Sequence, residues 1–129
     1  MHTHHLSALA VLDASQAWID QFNRQDGRAC AAAYTADATM HAEPLAHCSG
    51  RGEIEKFWCA LIDQGARELR YHKLKLQVLS AGEVELSAEW TMNIGSGVIT
   101  QERWQLCQDG VWRLSADQFA LLESQAQEG

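Results

Sequence analysis

The chain has 129 residues, 47% of them hydrophobic and 21% charged, with a formal net charge of -7 and a pI of about 5.2, which is the size and make-up of one globular domain around a single core. Its ten lysines and arginines are scattered apart from Lys73 and Lys75, so neither nucleic acid nor an anionic membrane is an expected partner, because both need a basic patch. No apolar run approaches the ~20 residues of a membrane span, and no charged start followed by an apolar stretch marks a signal peptide, so a cytoplasmic protein is expected.

Residues 6–25 read as a first helix. Leu9, Val11, Leu12, Trp18, Ile19 and Phe22 recur at helical spacings and form a wide apolar stripe, with Asp13, Gln16, Asp20 and Arg24 mostly off it. Asp26-Gly27 ends it. Ahead of it, Met1-His2-Thr3-His4-His5 reads as a frayed terminus without function. Residues 28–34 form a short alanine-rich helix. Residues 37–43 form a short strand closed by Pro44, the only proline, and residues 45–49 read as loop. Residues 50–65 hold a third helix with Ile54, Phe57, Trp58, Leu61 and Ile62 on one side. Glu53 and Glu55 fall in its first turn, where the helix dipole favours acids.

A meander of four antiparallel strands follows. In residues 68–79, His72, Leu74, Leu76 and Val78 share one face, and Tyr71, Lys73, Lys75 and Gln77 share the other. Ser80-Ala81-Gly82 turns the chain into the clearest strand. There Val84, Leu86, Ala88, Trp90, Met92 and Ile94 alternate with polar residues. Gly95-Ser96-Gly97 reads as the turn, and the return strand carries Val98, Thr100, Glu102, Trp104 and Leu106 on one face. After Gln108-Asp109-Gly110, residues 111–119 form the last strand, with Trp112, Leu114, Ala116 and Gln118 together; the tail from 121 to 129 is polar and frays. Segregated helices and an antiparallel meander mean an α+β fold, with the helices covering one side of a curved sheet.

A slip of one residue would flip every side chain, so the faces set the register. A three-residue loop pairs Met92 with Thr100, Trp90 with Glu102 and Ala88 with Trp104, and sets Glu89 opposite Arg103 outside. Val78 opposite Val84 then brings His72 beside Trp90, and Cys107 opposite Val111 brings Ala116 beside Glu102. One inner layer reads His72, Trp90, Glu102, Ala116, with Thr100 and Gln118 one layer along. Glu102 is an acid on an apolar face, where desolvation raises a carboxyl pKa. It suits an acid, a base or a ligand anchor, unless Trp90, Thr100 or Arg70 holds it as a structural group. His72 reads as a base or donor, or as a histidine bonded at a strand start. Trp18 and Trp90 read as pocket or core walls and Gln118 as a polar pocket group. His47 sits in the polar loop. His41, His72 and Glu102 are metal-ligating types without a spacing signature, so no metal site is assigned. The four cysteines form no C-x-x-C and read as reduced, mostly buried thiols.

Three stretches resemble one family in order and spacing. They are Trp18-Ile19-Asp20-Gln21-Phe22-Asn23-Arg24-Gln25-Asp26, Tyr34-Thr35-Ala36-Asp37-Ala38-Thr39-Met40, and Gly50-Arg51-Gly52-Glu53-Ile54-Glu55-Lys56-Phe57-Trp58. With the closing Gly110-Val111-Trp112-Arg113-Leu114, they resemble the ketosteroid isomerase and SnoaL-like branch of the nuclear transport factor 2-like superfamily. The resemblance covers nearly the whole chain as one domain. It implies a cone of curved sheet, antiparallel except at its short first strand, wrapped on three helices. It also implies a pocket at the open end, no cofactor, and a homodimer formed through the sheet. By resemblance, Trp18 stands where the isomerases carry a tyrosine donor. Glu43, directly before Pro44, stands where they carry a general base, and Glu102 where they carry a protonated acid. Alternation places Met40 and Ala42 inward and His41 and Glu43 outward, so Glu43 reaches the pocket only through a local bulge.

Three function classes fit these residues. One is a cofactor-free isomerase, cyclase or dehydratase, with Glu102, His72 and Glu43 as catalytic acid and base groups. Its pocket, lined by Trp18, Met40, Trp90, Thr100, Trp104 and Gln118, would take a small apolar or aromatic carbonyl compound. The second is a non-catalytic ligand-binding protein, which would show a closed pocket and an already paired Glu102. The third is a dimeric association module with a filled cone.

Overall fold

The computed structural model describes residues 2–124. The chain runs α1 (His2–Asn23), α2 (Gly27–Ala32), β1 (Tyr34–Glu43), β2 (Ala46–Ser49), α3 (Arg51–Asp63), β3 (Arg70–Ser80), β4 (Glu83–Met92), β5 (Gly95–Leu106) and β6 (Trp112–Ser124). The strands form one sheet in the order β2-β1-β6-β5-β4-β3, antiparallel except where β1 runs parallel to β6. This is the expected α+β architecture: an open, curved sheet wrapped on three helices. No described helix is long and apolar enough to cross a membrane.

The sequence motifs act first as fasteners. Helix α1 buries Ser7, Val11, Ser15, Trp18, Ile19 and Phe22. Leu9 and Leu12, expected on that stripe, are 47% and 37% exposed, because the buried face turns through two small serines instead. The helix also reaches back to His2, so the histidine-rich start expected to fray opens α1. Trp18 Nε1–H donates to the Cys30 carbonyl at 3.1 Å, tying α1 to α2. Asn23 exchanges two hydrogen bonds with the Leu69 backbone, at 2.8 and 3.1 Å, and so fixes where the chain enters β3. Asp26 accepts from the Ala29 N–H at 3.0 Å and caps α2. At Gly27, a Cβ would lie 2.6 Å from Cys59 Sγ, so only glycine lets α2 and α3 approach this closely.

Residues 46–49, read as loop from the sequence, form the edge strand β2, with His47 directly opposite His41 on β1. Four residues with only Cys48 buried carry too little alternation to announce a strand.

The expected β4–β5 register is corrected throughout. The turn is Asn93-Ile94, with Met92 opposite Gly95 and Trp90 opposite Gly97. Asn93 is held there by the α3–β3 connection: its side chain accepts from Arg67 N–H at 2.8 Å and donates to the Gly65 carbonyl at 2.8 Å. The two glycines serve space rather than the turn. A Cβ on Gly97 would lie 2.7 Å from the Trp90 ring and closer still to the Ala120 carbonyl; one on Gly95 would lie 2.7 Å from the Glu123 carbonyl.

Of the sheet's register shifts, three decide what faces inward around the site, each moving the following inward positions by one. On β3, Lys73-Leu74 oppose Ala88 alone, and Lys73 has φ 52°. On β5, Thr100-Gln101 oppose Ser87 alone, so Ala88 faces Ile99 and Leu86 faces Glu102. On β6, Ser115 is the extra residue between the Trp104–Leu114 and Arg103–Ala116 pairs. As a result Tyr71, not His72, lies opposite Trp90, and Asp117, not Ala116, lies opposite Glu102. Arg103 meets Glu85 in an ion pair instead of Glu89, which pairs with Lys73 at 3.7 Å. The Val78–Val84 pair stands as expected, and so does the Cys107–Val111 turn, where the Cys107 N–H donates to Val111 at 2.9 Å. Residues 121–124, expected in the tail, continue β6 against Gly95, Ser96 and Gly97; residues 125–129 of that tail lie outside the described residues. Trp104, Tyr34, Phe22, Met40, Ile54, Leu86 and Leu114 fill the core between sheet and helices.

Candidate functional site

The helices do not fill the sheet's inner face to its end. A cavity of about 350 Å³ remains, within the range of small-molecule pockets. Its walls are Trp18 from α1, Trp58 and Leu61 from α3, Trp90 and Met92 from β4, Ile99 from β5, and Phe119 and Leu121 from β6. The aromatic rings interlock: Trp18 meets Trp58 edge-on at 5.0 Å, Trp58 stacks on Phe119 at 5.6 Å, and Trp90 meets Phe119 edge-on at 6.4 Å. Exposed Leu45, Gln64 and Ser124 mark its mouth, while Tyr71, Glu102 and Asp117 sit at its buried end.

Two carboxyl groups meet there. Glu102 and Asp117 are cross-strand partners on one face, each 4% exposed, on neighbouring strands whose opposed Cβ atoms are roughly 5 Å apart. Each has its own donors. Tyr71 O–H donates to Glu102 Oε2 at 2.8 Å and Trp104 Nε1–H to Oε1 at 3.0 Å. Tyr34 O–H donates to Asp117 Oδ2 at 2.6 Å, and Trp58 Nε1–H donates to the Tyr34 oxygen at 3.2 Å. Asp117 Oδ1 and Trp90 Nε1 are buried with no hydrogen-bond partner among the described residues. Both residues line the same cavity, and the two atoms are one buried acceptor and one buried donor.

Burial pushes both carboxyls up from their ordinary range. Desolvation is the main cause for each, and for Glu102 the repulsion of Asp117 adds to it, against the donors Tyr71 and Trp104. The pair therefore resists carrying two charges and holds one proton where isolated carboxyls would hold none. Burial first, and the neighbouring carboxylates second, push Tyr34 and Tyr71 well above the usual phenol range, so both stay protonated donors.

The structure sorts the expected site residues by these bulges. Glu102, Trp18 and Trp90 line the cavity. Met40 and Trp104 are fully buried behind the wall: Met40 Sδ lies 3.8 Å from the Tyr34 hydroxyl, and Trp104 grips Glu102. His72 is corrected to the outer, exposed face, where its ring bonds Thr91 Oγ1 at 2.9 Å, because the β3 bulge gives the inward position to Tyr71. Thr100 and Gln118 are likewise turned outward by the β5 and β6 bulges, and Thr100 donates to the Gln118 carbonyl at 3.2 Å. Glu43 also faces outward, since β1 keeps its alternation from Thr39 to its end; Glu43 bonds His47 at 2.7 Å instead. Trp18 cannot serve as the donor the resemblance implied while its N–H is engaged by Cys30. Asp117, Tyr71 and Tyr34 are the groups the sequence reading missed. The signal for Asp117 is a change of phase within one strand: Leu114 belongs to one parity, whereas Asp117, Phe119 and Leu121 belong to the other. Two apolar phases in one strand betray a bulge.

A curved α+β sheet on three helices, open at one end over a buried acid pair, defines a cone-fold pocket protein. A sequence model described as the SnoaL-like domain matches residues 15–120, and the chain belongs to that family, within the nuclear transport factor 2-like superfamily. Among solved structures, a scytalone dehydratase-like protein from Novosphingobium aromaticivorans superposes with TM-score 0.81 at 12% identity, covering 95% of this chain and 89% of that one. A ketosteroid isomerase-like protein from Erwinia carotovora gives TM-score 0.75 at 15% identity, with 88% and 95% covered. A protein of unknown function with a cystatin-like fold from Nostoc punctiforme gives 0.76 at 15%, with 89% and 90% covered. At such identities the likeness is one of fold. No curated protein matches the chain by sequence.

Proposed function

We propose that the chain is a cofactor-free catalyst of proton transfer on a small aromatic or apolar carbonyl compound, in an isomerisation, cyclisation or dehydration. The observation that carries this is Asp117, a cavity-lining carboxyl whose Oδ1 is buried with no hydrogen-bond partner among the described residues, directly across the ladder from a second buried acid. A carboxyl held near neutrality by burial is matched to abstracting and returning a proton next to a carbonyl. Asp117 is the group that touches the substrate and moves the proton. Glu102, with both oxygens already engaged by Tyr71 and Trp104, is a positioning residue held protonated beside Asp117 by burial and by the Asp117 charge. Trp90 Nε1–H is the free donor for a developing enolate oxygen, and the aromatic walls exclude water and hold a flat ring system. With this go a second copy of the chain against the outer face of the sheet and a cytoplasmic setting, which suits four cysteines with no disulfide among them.

A second reading, a pocket that holds its ligand without reaction, is favoured by the complete pairing of Glu102. One experiment separates the two. A panel of cyclic ketones and hydroxy-aromatic ketones is incubated with the protein in D₂O, and deuterium uptake next to the carbonyl is followed by NMR, with binding measured in parallel. Catalysis predicts saturable exchange that falls on the order of 10²–10⁴-fold in Asp117→Asn while the compound still binds. Saturable binding with no exchange selects the second reading, and exchange that persists in Asp117→Asn removes the role given to that residue.

A further inference from the structure

Outside the cavity, one cluster combines the donor types that bind transition metals. His41 and Glu43 both point outward from β1, and His47 on β2 is directly opposite His41. The two imidazoles stack with centroids 4.4 Å apart and planes 15° off parallel, and His47 Nε2 lies 2.7 Å from Glu43 Oε1. One donor atom from each of the three residues lies within 4.8 Å of the other two. We propose that His41, Glu43 and His47 form a surface site for a divalent transition-metal ion such as Zn²⁺.

The chemistry favours this class of ion. Two imidazoles and one carboxylate suit Zn²⁺, Co²⁺, Ni²⁺ or Cu²⁺ and not Mg²⁺ or Ca²⁺, which take oxygen ligands. Ligands about 2.0–2.2 Å from a tetrahedral ion stand roughly 3.4 Å apart. The present cluster lies near that spacing: the His47–Glu43 contact at 2.7 Å must open slightly, and the three donor atoms are already within 4.8 Å of one another. All three side chains are exposed, so rotation of side chains suffices, while the β2–β1–β6 ladder fixes the backbones that carry them. The ion takes the place of the His47–Glu43 hydrogen bond, the fourth position stays open to water, and the net charge of -7 favours a cation. The bound ion would pin the edge strand β2 to β1. Leu45, in the turn between them, lines the cavity mouth, so the pinned hairpin is part of the pocket's rim.

Zinc titration of the chain tests this, with His2→Ser, His4→Ser and His5→Ser introduced first so that the histidine-rich start cannot supply the ligands. The expected result is uptake of one Zn²⁺ per chain, weakened at least tenfold by each of His41→Ala, Glu43→Gln and His47→Ala, with no competition from Mg²⁺. Co²⁺ loaded in place of Zn²⁺ should show the intense visible bands of a four- or five-coordinate ion, lost in the same three variants. Circular dichroism checks that these surface variants stay folded. No uptake in the serine-substituted chain, or uptake unchanged in His41→Ala combined with His47→Ala, overturns the proposal.

Discussion

Glu102 and Asp117 face each other across the β5–β6 ladder, two carboxyl groups buried side by side on the inner face of the sheet. The arrangement has a cost that depends on pH. In the unfolded chain both groups titrate near pH 4; in the folded chain burial raises both, and their mutual repulsion raises Glu102 further. Above about pH 4 the unfolded state releases protons that the native state keeps, so stability falls as pH rises, until the native pair has itself ionised. Urea unfolding between pH 5 and 9 should therefore show a protein that weakens steadily towards alkali. Asp117→Asn, which removes the repulsion and one buried charge, should flatten this slope and gain a few kcal/mol at the alkaline end. A variant whose slope matches the parent protein would show that the pair does not share its protons in this way.

The relay from Trp58 through Tyr34 to Asp117 favours the charged form of the aspartate. Tyr34→Phe removes that donor and strands the Trp58 N–H. It should cost about 1–3 kcal/mol of stability and move the ionisation of Asp117 to higher pH. The rising limb of any exchange activity should move with it, with the maximal rate largely kept. His72→Ala is the matched control: its ring contacts Thr91 on the outer face, so pH profile and ligand affinity should stay unchanged. A profile that moves in His72→Ala but not in Tyr34→Phe would put the working groups on the wrong side of the sheet for the site described.

What could be read from the residues, and what could not, divides at the bulges. Trp18, Asn23 and Asp26 were visible as one contiguous stretch, with Gly27 as the helix break after it, although the contacts they make reach from the neighbouring Cys30 and Ala29 to the distant Leu69 and Cys59. The strands were visible because alternation is a local property. Glu102 stood out for the same reason, as an acid in phase with Trp104. Its neighbours were not visible, because register is set by extra residues at Lys73-Leu74, Thr100-Gln101 and Ser115. Each insertion leaves local alternation intact on both sides and changes only which side faces inward. So Tyr71 took the place assigned to His72, and Asp117 the place assigned to Ala116. Gly95 and Gly97 misled in another way: glycine commonly marks a turn, but here it makes room for a tryptophan ring and a neighbouring backbone.

That last point gives a sharp contrast between two glycines. A Cβ at Gly97 would collide with the Ala120 carbonyl and lie 2.7 Å from the Trp90 ring, and only the ring could move. Gly97→Ala should push β5 away from β6, displace Trp90 from the cavity wall and cost more than about 3 kcal/mol. Gly52, near the start of α3, has nothing within 4 Å of where its Cβ would stand. Gly52→Ala should stabilise by roughly 0.4–1 kcal/mol, by removing freedom from the unfolded chain and adding a better helix former. Thermal unfolding of the two variants beside the parent, with tryptophan fluorescence reporting the position of Trp90, measures both effects. If Gly97→Ala unfolds with the same midpoint and the same fluorescence as the parent, the close approach of Trp90 to β5 is not what shapes the cavity wall.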